Sequence, residues 1–261
     1  MAKINTKSFE IFESIIARTD STYSFDGETS VQCIRALLRV IRDIGLNPLK
    51  AEDIRKAMTI LFNIEFLNMP DLESGCFILA PNHVSDFDAL ILGILHPKIR
   101  IVSKSEWTTN KRLKQFLDIH YDLYGLDRTS WQSLRALLAD SIGYFNECDE
   151  VKHYLVFSQG TISDFNNNSA ERISSIAHKV SDKTGAPIIN GFVEQASLYH
   201  PTRIVFDRPM RLSTKDDFGK IWLERETSLQ NALILPARRP KLSYKHANSN
   251  KPGDPFFVRI N

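Results

Sequence analysis

Five apolar residues in succession, Cys76 to Ala80, run into Pro81, and helical spacing begins soon after at Phe87, Leu90, Ile91 and Ile94. A run of that length suits a short buried strand, and a proline, lacking a backbone donor, ends it. The helical pattern stops in turn at His96-Pro97. The unit is strand, polar loop, helix, and the loop sits where open α/β sheets bind their ligands, at a strand's carboxyl end. The alternation recurs downstream. Strands are predicted at Arg100–Ser103, Tyr154–Phe157, Pro187–Val193 and Arg203–Phe206, with helices at Trp131–Phe145, near Ala170–Lys183 and near Asp216–Ala232. Such a chain is expected to form an α/β fold, a mostly parallel central sheet flanked by helices.

An N-terminal helical segment over residues 1–70 is expected to preface the α/β domain of residues 71–233. In "TSVQCIRALLRVIRDIGLNP" the apolar Val31, Ile34, Leu38 and Ile41 share one helical face, and Arg35, Arg39 and Arg42 share another. Ser30 suits the helix cap and Gly45 the stop. The arginine face fits either the solvated side of a packed helix or a helix lying on a membrane surface. Residues 234–261 form a basic extension, with Arg238, Arg239, Lys241, Lys245, Lys251 and Arg259 against Asp254 alone.

The chain has 261 residues, 43% of them apolar, enough for a sizeable core. Its net charge of +2 gives no whole-chain field suited to nucleic acid, and no nucleic-acid partner is expected. Cys33, Cys76 and Cys148 are scattered and odd in number, which fits packing thiols in a reducing compartment. The start lacks the apolar core of a signal peptide, and the longest apolar stretch, around "ALILGIL", is too short to span a bilayer. The expected location is cytoplasmic, with peripheral contact to an anionic membrane face.

His83 and Asp88, in "NHVSDFD", are the candidate reactive pair. A neutral imidazole with one nitrogen held by a carboxylate presents the other as a proton acceptor for a hydroxyl. The spacing alone proves little, since Ser85 and Asp88 also read as an S-x-x-D capping box at the start of the helix. One imidazole without a second histidine in reach lacks the ligands for zinc or di-iron, so no metal is expected. No nucleophile elbow, P-loop or dinucleotide-binding glycine pattern occurs. What remains is a histidine acting as a base on a hydroxyl that belongs to the substrate.

In this light "NHVSDFD" resembles the N-H-x-x-x-x-D block of the glycerol-3-phosphate and lysophosphatidate acyltransferase family. Three later stretches follow in that family's order: "YGLDRTS", "LVFSQGTIS" in place of its F-P-E-G-T-R-S block, and "TGAPIINGFV". The resemblance spans roughly Phe77 to Leu212. It implies that His83 is the general base and Asp88 its orienting partner. It further implies that Arg128 grips a substrate phosphate and that Gln159, Gly160 and Thr161 lie by the acceptor's polar head. Otherwise Arg128 reads as a surface ion pair with Asp127 or Asp122, and Gly160-Thr161 as a simple turn.

The third block departs from the pattern: Ser158 replaces proline, Gln159 glutamate and Ile162 arginine. An amide at 159 keeps an acceptor and gains a donor, so Gln159 is still expected to hold a substrate hydroxyl. An apolar residue at 162 removes a cation, which Lys104 or Arg172 would have to replace. The resemblance implies transfer of a fatty acyl group from acyl-CoA or acyl carrier protein to a lysophosphatidate-like lipid acceptor. No cofactor is then needed beyond the acyl donor itself. Two alternatives stay open: a related acyltransferase whose acceptor is a non-phosphate alcohol or amine, and a lipid-binding protein without the chemistry.

Overall fold

The computed structural model describes residues 7, 9–12, 14, 27–84, 87–109, 111, 114, 117–118, 121–127, 129–146, 150–159, 173–194, 201–213 and 216–234. The elements with described bounds are, in chain order, α1 (Gly27–Asp43), α2 (Ala51–Phe62), β1 (Ile64–Leu67), β2 (Phe77–Pro81), α3 (Asp88–Gly93), β3 (Ile99–Lys104), α4 (Ser105–Thr109) and β4 (Asp122–Leu126). They continue as α5 (Trp131–Asn146), β5 (His153–Leu155), α6 (Ile176–Thr184), β6 (Ile188–Val193), β7 (Thr202–Phe206) and α7 (Phe218–Ile234). The strands form one sheet in the order β1-β7-β6-β2-β5-β3-β4. All its pairings are parallel except β6 with β7, so the architecture is the mostly parallel α/β sheet read from the sequence.

β2 lies near the middle with every residue buried, as its unbroken apolar run requires. Its side chains alternate between two cores. Phe77 and Leu79 join the first face with Ile34, Leu37 and Ile41 of α1, Met58 and Phe62 of α2, and Ile91 of α3. Ile78 and Ala80 join the second with Leu137 of α5, Val180 of α6 and Trp222 of α7. Trp222 also donates its indole N–H to the Ala80 carbonyl at 2.8 Å, fastening α7 across the sheet. On that face Arg100 donates to both Asp122 and Asp140 at 2.8 Å, and the Tyr154 hydroxyl donates to the same Asp140 oxygen, which ties α5 to β3, β4 and β5.

Several expectations need adjusting. Ser30 lies inside α1 and is not its cap, whereas Gly45, at φ +83°, does take the left-handed conformation past the helix end. The sheet begins before residue 70, because β1 pairs with β7, and α1 and α2 share the first-face core with the strands. Pro81 is the last residue of β2, paired with Gly191, so the strand extends one residue beyond the apolar run. α6 begins at Ile176, later than the helix expected near Ala170; residues 170–172 lie outside the described residues. β1 and β4 were not expected at all; both are edge strands.

On α1, Cys33, Ala36, Leu37 and Val40 are buried while Arg35, Arg39 and Arg42 are exposed on the opposite face. Among the described residues no helix is long and apolar enough to cross a membrane.

Candidate active site

The connection after β2 passes through α3 on the first face of the sheet, whereas the connection after the neighbouring β5 leads to α6 on the second. Two adjacent strands whose chains leave toward opposite faces open a crevice at their carboxyl ends, the usual ligand position in such sheets. His83 stands at the end of β2, and Phe157 and Gln159 at the end of β5.

Pro81 shapes this corner. Even-numbered residues of β2 turn their N–H groups toward β6: Ile78 donates to Pro187 and Asn82 to Gly191. Odd-numbered ones face β5, where the Phe77 N–H meets His153 Nδ1. Pro81 is odd and has no N–H, so the ladder toward β5 is interrupted where β5 itself is ending. The next donor on that side, the His83 N–H, is taken by Gln159 Oε1 at 2.7 Å.

On the β6 side the buried Asn82 prolongs the ladder with its side chain. Its Nδ2 donates to the Val193 carbonyl at 3.0 Å, and its Oδ1 accepts the Val193 N–H at 2.6 Å. A carboxamide mimics a peptide group, so the chain is pinned to β6 one residue before the histidine.

The imidazole itself is fixed from two further directions. Asp88, fully buried in the first turn of α3, places Oδ2 at 3.1 Å from His83 Nδ1, and the same oxygen accepts the Val84 N–H at 2.7 Å. An ionised carboxylate only accepts, so this contact assigns the proton of the neutral imidazole to Nδ1 and leaves Nε2, across the ring, as the basic atom. Phe157 stacks on the ring, with centroids 4.1 Å apart and planes inclined by 20°. The side chain of His83 remains 15% exposed, which is the access a proton acceptor needs. α3 is held in its turn by Tyr121: the hydroxyl donates to the Leu90 carbonyl at 3.3 Å, and the ring lies where a side chain at Gly93 would collide.

The structure therefore brings His83, Asp88 and Gln159 together. Ser85, the other half of the capping-box reading, lies outside the described residues; the residue before α3 is Phe87, with no side-chain cap bond, and Asp88 serves His83 and Val84. Gln159 presents its oxygen to a peptide N–H rather than to open solvent. Arg128, Gly160 and Thr161 lie outside the described residues, as do Ser85, Asp86, Ile162 and Arg172. The two acids weighed as ion-pair partners for Arg128 have other described partners: Asp122 pairs with Arg100, and Asp127 accepts the Thr129 N–H and hydroxyl, which hold its carboxyl below the usual range. Lys104 is exposed at the carboxyl end of β3, on the same edge of the sheet as His83. Asn82 and Phe157 stand inside the stretches "NHVSDFD" and "LVFSQGTIS", but the sequence assigns neither a role; their parts in the site come from the structure.

Fold and site together define an α/β protein with a histidine–aspartate dyad at a topological switch point. No family model matches the chain. No curated protein matches it either. Among solved structures it is similar to the crystal structure of the 1-acyl-sn-glycerophosphate (LPA) acyltransferase PlsC from Thermotoga maritima, at 16% identity over 90% of this chain and 93% of that one, with a TM-score of 0.48.

Proposed function

We propose that this protein is an acyltransferase that moves a fatty acyl group from a thioester donor, acyl-CoA or acyl carrier protein, to a hydroxyl of a lysophosphatidate-like lipid acceptor. The observation that carries the reading is the dyad: a buried Asp88 carboxylate 3.1 Å from Nδ1 of a partly exposed His83, at the crevice between β2 and β5. The order of the four sequence blocks supports it. In this mechanism Nε2 of His83 takes the proton of the acceptor hydroxyl as its oxygen attacks the thioester carbonyl. The sulfur then leaves and recovers the proton from the imidazolium, so no acyl-enzyme forms. Arg128, Gly160 and Thr161 are assigned to the acceptor's polar head in the same proposal, and the site of action to a cytoplasmic membrane face.

The test is acyl transfer by purified protein across a panel of donors and acceptors, repeated with His83→Ala. Loss of roughly 10²- to 10⁴-fold in turnover with the fold retained is expected. Undiminished transfer in the variant would overturn the mechanism.

Ile162, where the resembling block carries arginine, favours a second reading with a non-phosphate alcohol or amine as acceptor. A charged hydrogen bond contributes about 1.5 to 3 kcal/mol, roughly ten- to a hundredfold in affinity. Ile162→Arg should then improve the use of lysophosphatidate and leave an uncharged acceptor unaffected or worse. If wild-type protein binds lysophosphatidate tightly and Arg128→Ala abolishes that binding, one cation suffices and the second reading fails.

A further inference from the structure

We propose, resting on the acyl-transfer reading, that Gln159 is a positioning residue: its carboxamide oxygen holds the His83 peptide against the end of β5, and as an amide it brings no charge to the imidazole. The bond of 2.7 Å joins residues 76 apart in sequence and stands in for the ladder bond that Pro81 cannot make. It comes from the same short segment as Phe157, whose ring packs on the imidazole. The end of β5 thus grips both the backbone and the ring of His83, while Asp88 grips Nδ1. Two of these three supports are uncharged. Among the described residues packed around His83, α3 contributes the carboxylate of Asp88, β5 and its extension contribute Phe157 and Gln159, and β6 contributes Gly191 and Val193 through Asn82.

A glutamate at 159 could accept the same N–H, so geometry alone does not demand an amide. What differs is charge. A second carboxylate at that position, bonded to the His83 backbone, would attract an imidazolium and hold the proton on the base at higher pH. The amide keeps the base available at lower pH than a glutamate would.

Two variants test this. Gln159→Glu keeps the acceptor and adds the charge; the acid limb of kcat/KM should move upward by about one pH unit. Gln159→Leu removes the acceptor; kcat should fall about ten- to a hundredfold, with acceptor KM changed less than threefold and the limb unmoved. The His83 ring-proton signal, followed by NMR against pH without substrates, should titrate higher in Gln159→Glu. An unmoved titration there, or a tenfold rise in acceptor KM at constant kcat in Gln159→Leu, overturns the proposal, the latter by making Gln159 a substrate contact. Because the NMR titration needs no turnover, a shifted signal in a protein that transfers no acyl group would uphold the positioning role and reject the acyl-transfer reading.

Discussion

One oxygen of Asp88 serves two donors of the preceding loop, taking the Val84 N–H at 2.7 Å and facing His83 Nδ1 at 3.1 Å. In Asp88→Asn an amide oxygen in that place accepts both donors without the carboxylate's charge, whereas an NH₂ group in that place accepts neither and favours the tautomer whose proton sits on Nε2. That is the wrong nitrogen for a base. Turnover should drop by about 10²- to 10⁴-fold with acceptor KM little changed, read in steady-state kinetics beside a thermal melt. A loss under fivefold would detach Asp88 from the chemistry.

Asn82 is the bracket on the opposite side. Asn82→Ala leaves both polar groups of the Val193 peptide without their described side-chain partner, at a cost of about 2 to 4 kcal/mol. Asn82→Asp should also be destabilising, because a carboxylate cannot donate to the Val193 carbonyl. Urea unfolding curves of the two variants check this; a midpoint equal to wild type in either would mean that the ladder extension contributes nothing.

His153 and Glu226 make stability depend on pH in opposite senses. Burial, reinforced by the neighbouring His96, holds the His153 imidazole down at about 4. An unfolded histidine takes its proton near 6.5, so through the window from 6.5 to 4 the unfolded chain binds a proton that the folded chain refuses, and stability falls with falling pH. His153→Asn, which retains an acceptor for the Phe77 N–H, should lose less melting temperature between pH 7 and pH 5 than wild type does.

Burial pushes the Glu226 carboxyl up to about 8. From about 4.5 to 8 the folded chain keeps a proton that the unfolded chain has shed, so stability falls as the pH rises through that window and then levels off. Glu226→Gln should match wild type near pH 4 and melt several degrees higher at pH 8. Parallel melting curves at both pH values would count against the buried, protonated carboxyl.

The exposed arginines of α1 bear on location. If they meet anionic headgroups, replacing Arg35, Arg39 and Arg42 together by glutamine should weaken binding to phosphatidylserine vesicles by about a hundredfold, at roughly 1 kcal/mol per arginine, and salt should weaken wild-type binding too. Co-sedimentation measures it. Equal binding by the variant would shift attention to residues 235–261, and no binding at low salt would favour a water-soluble acceptor.

Central strands are legible in sequence because both their faces are buried: β2 and β6 read as nearly unbroken apolar runs. The edge strands are not. β4 is "DLYGL" and β1 "IEFL", each mixing polar or half-exposed positions, and each is a strand only because one neighbour supplies its hydrogen bonds. The same division runs through the site. His83 and Asp88 are five residues apart across one short loop, and the four sequence blocks in order single out the pair. The reach of Gln159 to the His83 N–H, and of Asn82 to Val193, depends on β2 lying between β5 and β6, and no periodicity encodes that order.

The pairing of β1 with β7 also sets an order of assembly. β1 is made early, yet its one neighbour in the sheet lies more than half the chain's length downstream. During synthesis its edge waits unsatisfied until most of the protein has emerged, while β2, β3, β4 and β5 can already associate among themselves. The crevice at β2 and β5 can thus be framed before the sheet's outer border is sealed, and the closing of β1 on β7 is expected among the last steps of folding.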